Sequence, residues 1–133
     1  MVTQLLDPDR CREITDKYPD YFGALNAPEW FAIKTNYAFI EGDNVSFAEW
    51  KSPGVYWVHF CFDEARGRKA IELTKDMLAF MYQTCPDAVT SIGLIETRNK
   101  PARWLIRQVG FKSLGEVDTK NGPCEMFYYT KEI

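Results

Sequence analysis

Histidine occurs once in these 133 residues, at His59. The four cysteines, Cys11, Cys61, Cys85 and Cys124, lie far apart, with no C-x-x-C pair among them. These scarcities exclude the usual Cys/His zinc patterns, which need closely spaced ligands, and no metal site is expected. Thiols so widely spaced fit a reduced, cytoplasmic protein better than a disulfide framework. No apolar run approaches the ~18–20 residues needed to cross a bilayer, so no membrane partner is expected. The stretch Met1 to Arg12 lacks the charged-then-apolar pattern of a leader. Positive charge is not in excess: 16 Lys and Arg stand against 19 Asp and Glu, for a net charge of −3. That excludes nucleic-acid binding by bulk charge and leaves only a local basic patch. Repeats, low-complexity tracts and linkers are also lacking, so residues 1–133 read as one domain.

What is there is the material of a core, with 46% hydrophobic and 15% aromatic residues. Asp7 is placed to cap a first helix over Pro8 to Lys17, and Pro19 to Leu25 reads as a helical turn. The period then changes. Glu29 to Thr35 and Tyr37 to Glu41 read as strands, Gly42-Asp43-Asn44 as a hairpin turn, and Asn44 to Lys51 as the returning strand. After the turn Ser52-Pro53-Gly54, the β-branched and aromatic run Val55 to Phe62 suits a central buried strand. A long helix follows over Arg66 to Thr84. Ile71, Leu73, Met77, Leu78, Phe80 and Met81 form its apolar side, opposite Glu72, Lys75, Asp76, Ala79 and Gln83. Thr90 to Glu96 is the next strand. Lys112 to Asp118 and Cys124 to Lys131 close the chain as two strands about the turn Lys120-Asn121-Gly122-Pro123. The order predicts an α+β (mixed α/β) fold, with helices on the faces of one sheet and a right-handed parallel crossover in its middle.

Two local motifs stand out. Between Thr90–Glu96 and Lys112, the segment Asn99 to Phe111 reads as a helix with a cap at each end. Asn99 can accept an orphan backbone N–H, and Pro101 sits in the first turn, where its missing N–H costs nothing. Ala102, Leu105, Ile106 and Val109 make one apolar face, and Gly110 suits the left-handed stop. The second motif is the strand end Phe60-Cys61-Phe62-Asp63 running through Glu64-Ala65 into Arg66-Gly67-Arg68-Lys69-Ala70. There a helix N-terminus coincides with three cations, an arrangement that attracts an anion.

These motifs in this order resemble the GNAT acyltransferase superfamily over about Glu29 to Glu132, as a divergent member of the kind many phages encode. The resemblance implies a GNAT-type fold, with a central, mostly antiparallel mixed sheet flanked by helices. It implies an acetyl-CoA-dependent N-acetyltransferase acting on an amine of unknown identity. Coenzyme A would lie along Phe60, Cys61 and Phe62. Its pyrophosphate would meet Arg66, Gly67, Arg68, Lys69 and Ala70. Asn99 would contact its pantetheine arm or its pyrophosphate, and Ala102 would pack close to the cofactor. Two places depart from the family. If Arg66 opens the Q/R-x-x-G-x-G/A loop, Lys69 and Ile71 take the glycine or alanine positions. The family's frequent acid, a Tyr four residues before the helix-ending Gly, is here Ile106.

Acetyl transfer to an ammonium of pKa about 10.4 needs a base, since only ~0.04% of it is neutral at pH 7. His59 on the central strand, with an ordinary pKa of about 6.5, is the first choice. Glu96 and Asp63, at strand ends, could act through water. Tyr128, Tyr129 or water could replace the missing acid, and Cys61 is a weak alternative as nucleophile. Trp30, Phe31, Tyr37, Phe39, Phe47 and Trp50 either line an acceptor pocket or pack the sheet. A competing reading is a phage virion or host-interaction protein that keeps this fold without catalysis, located in the host cytoplasm. Assembly as a homodimer stays open.

Overall fold

The computed structural model describes residues 1–18, 27–63, 65–120 and 122–131. The turn expected at Pro19 to Leu25 lies outside them. Asp7 accepts the Asp9 N–H at 3.0 Å and opens α1 (Pro8–Thr15), which stops just short of Lys17. The segment expected as a strand from Glu29 to Thr35 is instead helical, as α2 (Ala27–Ala32). Its aromatic pair Trp30-Phe31 carries β propensity, but Pro28 and Glu29 stand where a helix start favours them. Asn36 then donates its side-chain amide to the Trp30 carbonyl at 3.0 Å, which satisfies an orphan acceptor at the helix end. Tertiary packing supports the same choice, because Trp30 meets Phe47 of the sheet edge-to-face at 5.3 Å.

The strands are β1 (Thr3–Gln4), β2 (Asn36–Glu41), β3 (Asn44–Ser52), β4 (Val55–Phe62), β5 (Thr90–Glu96), β6 (Lys112–Thr119) and β7 (Gly122–Thr130). They form one sheet in the order β1-β2-β3-β4-β5-β7-β6, antiparallel throughout except for the parallel pair β4–β5. Between β4 and β5 lies α3 (Arg68–Thr84), and between β5 and β6 lies α4 (Lys100–Val109). The expected mixed, mostly antiparallel α+β fold is therefore observed.

Strand alternation sorts the core onto two faces. On one face Phe39, Ala48, Tyr56, Val58 and Phe127 meet Leu73, Met77, Leu78 and Met81 of α3, with Ile106 and Val109 of α4. On the other face Ala38, Val45, Phe47 and Cys61 meet Cys11 and Ile14 of α1, and Trp30 and Phe31 of α2 pack against them. All four cysteines are buried and unbridged. Among the described residues, no helix is long and apolar enough to cross a membrane.

Helix α4 is held at both ends as its sequence predicts. Asn99 Oδ1 accepts the Ala102 N–H at 3.3 Å, and Gly110 ends the helix at φ +116°. The Phe111 N–H then reaches back to the Ile106 carbonyl at 3.1 Å. A Cβ at Gly110 would lie 3.6 Å from the Tyr129 ring, an ordinary contact, so its cost is conformational rather than steric. Gly110→Ala should cost about 1–2 kcal/mol and lower the melting temperature by about 3–6 °C. Calorimetry of the two proteins checks this.

Candidate functional site

The site arises where two strands part. β4 and β5 pair only at Val55 with Thr90, Tyr56 with Ser91 and Trp57 with Ile92, although both strands continue. Beyond that point β4 stays with β3 as far as Phe62 opposite Asn44, and β5 stays with β7 as far as Glu96 opposite Cys124. Among the described residues, no strand covers the edge of β4 from Val58 to Phe62. Gly93 stands at the fork, where a Cβ would come within 3.8 Å of the Val58 carbonyl oxygen. The opening is a cleft of about 410 Å³, lined by β4, β5 and the starts of α3 and α4. Its walls bring together His59, Phe60, Cys61, Phe62, Arg66, Gly67, Ala70, Glu96, Asn99 and Ala102. Arg68 and Lys69 do not line it; they lie exposed on the first turn of α3.

The start of α3 is shaped for close approach. Gly67 precedes the helix at φ +58°, and nothing lies within 4 Å of where its Cβ would be. Among the described residues, no side chain caps this end, so the first N–H groups of α3 carry their partial positive charge toward the cleft mouth. The loop before it is anchored by Asn44, whose Oδ1 accepts the Ala65 N–H at 3.1 Å. Arg66 folds back, donating Nη1 to the carbonyls of Phe62 at 3.0 Å and Ala65 at 2.8 Å. On the far wall Asn99 uses its side-chain oxygen for the helix cap, and the cap leaves the amide NH₂ unused.

His59 projects from β4 on the α1–α2 side. Loss of hydration among its neighbours lowers its pKa below the usual histidine value, and the nearby Glu49 charge pushes it back up. The ring still leaves 41% of its side-chain surface accessible, so it can meet a ligand. Its Nε2 is 3.8 Å from Glu49 Oε1. Glu96 faces the same cleft and pairs through Oε2 with Arg98 Nε. Burial pushes the Cys61 thiol up to about 12, which keeps it protonated and removes it as a nucleophile.

Other expectations are corrected. Asp63 is engaged, by Lys17 Nζ at 2.8 Å and the Tyr18 hydroxyl at 2.5 Å, and hydrogen bonds from both hold its carboxyl below the usual range. Tyr128 and Tyr129 lie away from the cleft, on a groove shared with Lys75 and Lys112. Among the described residues, the phenol that does line the cleft is Tyr18, already donating to Asp63. Ile106 is buried in the cleft wall and has no proton to give. None of the six aromatics considered for an acceptor pocket lines the cleft. Tyr37 and Phe39 pack toward α3, whereas Trp30, Phe31 and Phe47 pack on the His59 face. Glu49 and Gly93 escaped the sequence reading. A lone glycine inside a strand was a usable signal for Gly93; Glu49 needed the β3–β4 register. Among the described residues, no cluster of His, Cys, Asp and Glu could hold a metal ion.

Known structures carry the same architecture from end to end. An aminoglycoside acetyltransferase, AAC(6')-Ib, in complex with coenzyme A and kanamycin superposes with a TM-score of 0.73 at 14% identity, over 98% of this chain and 95% of that one. The chain has the GNAT acetyltransferase fold. The spermidine N-acetyltransferase SpeG from Vibrio cholerae shares this GNAT fold with a TM-score of 0.77 at 12% identity, over 98% and 94% of the two chains. A ribosomal-protein-S5-alanine acetyltransferase from Vibrio fischeri gives 0.71 at 12%, over 98% and 92%. No protein-family model and no curated protein matches by sequence. At such low identity the GNAT likeness resides in backbone architecture.

Proposed function

We propose that the chain is an acetyl-CoA-dependent N-acetyltransferase. The observation that carries this reading is the parting of β4 from β5 beside a bare helix N-terminus. An extended, amide-bearing chain fits the uncovered edge of β4, and a diphosphate fits the start of α3. The complexes of AAC(6')-Ib with coenzyme A on the same fold support it. Phe60, Cys61 and Phe62 would hold the pantetheine amides through their backbone, with Asn99 and Ala102 opposite. Gly67 and Ala70 leave room at the pyrophosphate. Arg66 would turn from its loop carbonyls toward it, with Arg68 and Lys69 adding positive charge from the first turn.

Acetyl-CoA, when bound, supplies the thioester whose acetyl group passes to the amine. His59 takes one proton from the acceptor ammonium, so that the neutral nitrogen can attack. Glu96, across the cleft, is the second group able to draw that proton through water. A backbone N–H on the open edge of β4 can meet the oxyanion. Acid help for the leaving sulfur is less needed than for an alkoxide, because a thiol of pKa about 8.5 departs readily as thiolate. The absence of a tyrosine at Ile106 is therefore compatible with turnover. The alternative of a phage virion or accessory protein gains no support from the known structures above.

Reversing the charge of Arg66 and Arg68 together (Arg66→Glu with Arg68→Glu) should weaken acetyl-CoA binding at least about 10-fold, since each reversed charge near the diphosphate opposes it. Isothermal titration checks this. Unchanged affinity would remove the pyrophosphate site from this end of α3.

A further inference from the structure

Glu49 has no part in the chemistry above, yet three elements converge on it. It lies opposite Trp57 in the β3–β4 ladder, and His59 lies opposite Phe47. Glu49 and His59 are thus diagonal neighbours on one face of the sheet, within reach of long side chains. His59 Nε2 faces Glu49 Oε1 at 3.8 Å, and the same oxygen accepts the Trp30 indole N–H at 3.1 Å. Trp30 is itself wedged edge-to-face against Phe31 at 5.0 Å and Phe47 at 5.3 Å. An indole N–H can only donate. The oxygen that faces the imidazole is therefore held in place by a rigid donor from α2. The other titratable or charged groups on the cleft around the ring are Cys61 of β4, Arg66 before α3, Glu96 of β5 and Tyr18 beyond α1. Arg66 donates to the Phe62 and Ala65 carbonyls. Cys61 is a protonated thiol, Tyr18 donates to Asp63, and Glu96 is paired with Arg98. Among the described residues, Glu49 is the acid within ion-pair distance of the ring.

We propose that Glu49, steadied by Trp30, is the positioning residue for His59: it draws the ring proton to Nε2 and leaves Nδ1 as the basic nitrogen. The proposal rests on His59 being the base. Nδ1 takes one proton from the acceptor ammonium, and the ring becomes an imidazolium facing the Glu49 carboxylate. The neutral amine attacks the thioester carbonyl, and the C–S bond breaks as the C–N bond is kept. The second nitrogen proton passes through water to the leaving thiolate, and the imidazolium proton passes to solvent after turnover. No oxidant or further reactant is needed.

Because His59 is the sole histidine, its ring signals can be followed by NMR without assignment ambiguity. In the unmodified protein the neutral ring should show the ¹⁵N shifts of the Nε2–H tautomer. In Glu49→Gln the His59 pKa should fall by about 0.7 unit, the effect of a charge about 4 Å away in water-like surroundings, and the tautomer preference should weaken. Glu49→Asp should restore part of both. Trp30→Phe, which keeps a ring and loses the donor, should move both in the same direction by less. The acid limb of kcat/KM, assayed with acetyl-CoA and simple primary amines, should shift with the NMR value. An unchanged titration and tautomer in Glu49→Gln overturns the proposal whatever the activity. A moved titration with an unmoved acid limb overturns it as well. Full activity in His59→Ala, with the Glu49→Gln titration shift intact, overturns the base assignment instead and leaves the pair standing.

Discussion

Glu125→Ala should cost the fold about 1.5–3 kcal/mol, the usual worth of hydrogen bonds to a charged group whose partners are partly open to water. Glu125 is only 5% exposed, on β7. Its carboxylate accepts Arg103 Nε at 2.8 Å, Arg107 Nη2 at 2.6 Å and Ser113 Oγ at 2.6 Å. Arg103 also donates Nη1 to the Thr97 carbonyl at 2.9 Å. The network thus ties α4 to β6, β7 and the end of β5, and so fixes the cleft wall that carries Asn99 and Ala102. Alanine would leave two partly exposed guanidinium groups without their shared carboxylate. Burial alone would raise the Glu125 pKa, but the hydrogen bonds from Ser113, Arg103 and Arg107 outweigh it and hold the carboxyl below the usual range. The sign of the pH effect follows. The folded value lies below the unfolded one, about 4.3, so the contribution is complete above that pH and fades as pH falls through the folded value. Urea titrations at pH 7 and near pH 3 should show the gap between native and Glu125→Gln proteins narrowing in acid. A gap of equal size at both pH values would contradict the assignment.

His59→Ala should lower kcat about 10²–10⁴-fold, the usual worth of a placed general base. Binding of acetyl-CoA should change little, because the proposed coenzyme contacts are made by backbone and by the helix starts. The melting temperature should also hold, since the ring is partly open to the cleft. The deficit should shrink as pH rises toward the pKa of the acceptor amine, about 10.4, because the amine then loses its proton unaided. In the native protein burial lowers the His59 pKa, which favours the neutral ring, the form able to accept a proton. Initial rates from pH 6 to pH 9.5 with both proteins check this. A deficit constant across that range would place His59 in a structural role.

Much of the frame could be read before any coordinates. Val55 to Phe62 and Thr90 to Glu96 appear with the expected bounds, because β-branched and aromatic runs were closed by clear turns. Helix α4 announced both its caps. Elsewhere local propensity misled. Trp30 and Phe31 suggested a strand, whereas Pro28, the Asn36 cap and the packing on Phe47 made a helix. That error hid Trp30 as a partner of Glu49. The cleft itself is a property of pairing that stops: three parallel rungs between β4 and β5 and then none. A sequence does not display where two strands separate. Glu125 was equally hidden, since a strand glutamate usually faces water, although Arg103 and Arg107 share one helix face and hinted at an anion opposite.

The cleft between β4 and β5 as the seat of acetyl-CoA is tested most directly by backbone amide NMR during titration with the coenzyme. Signals of Phe60 to Phe62, Gly67 to Ala70 and Asn99 to Ala102 should shift together and saturate with one stoichiometric ligand. No change at millimolar acetyl-CoA, or changes confined to the groove of Lys75, Lys112 and Tyr128, would contradict it.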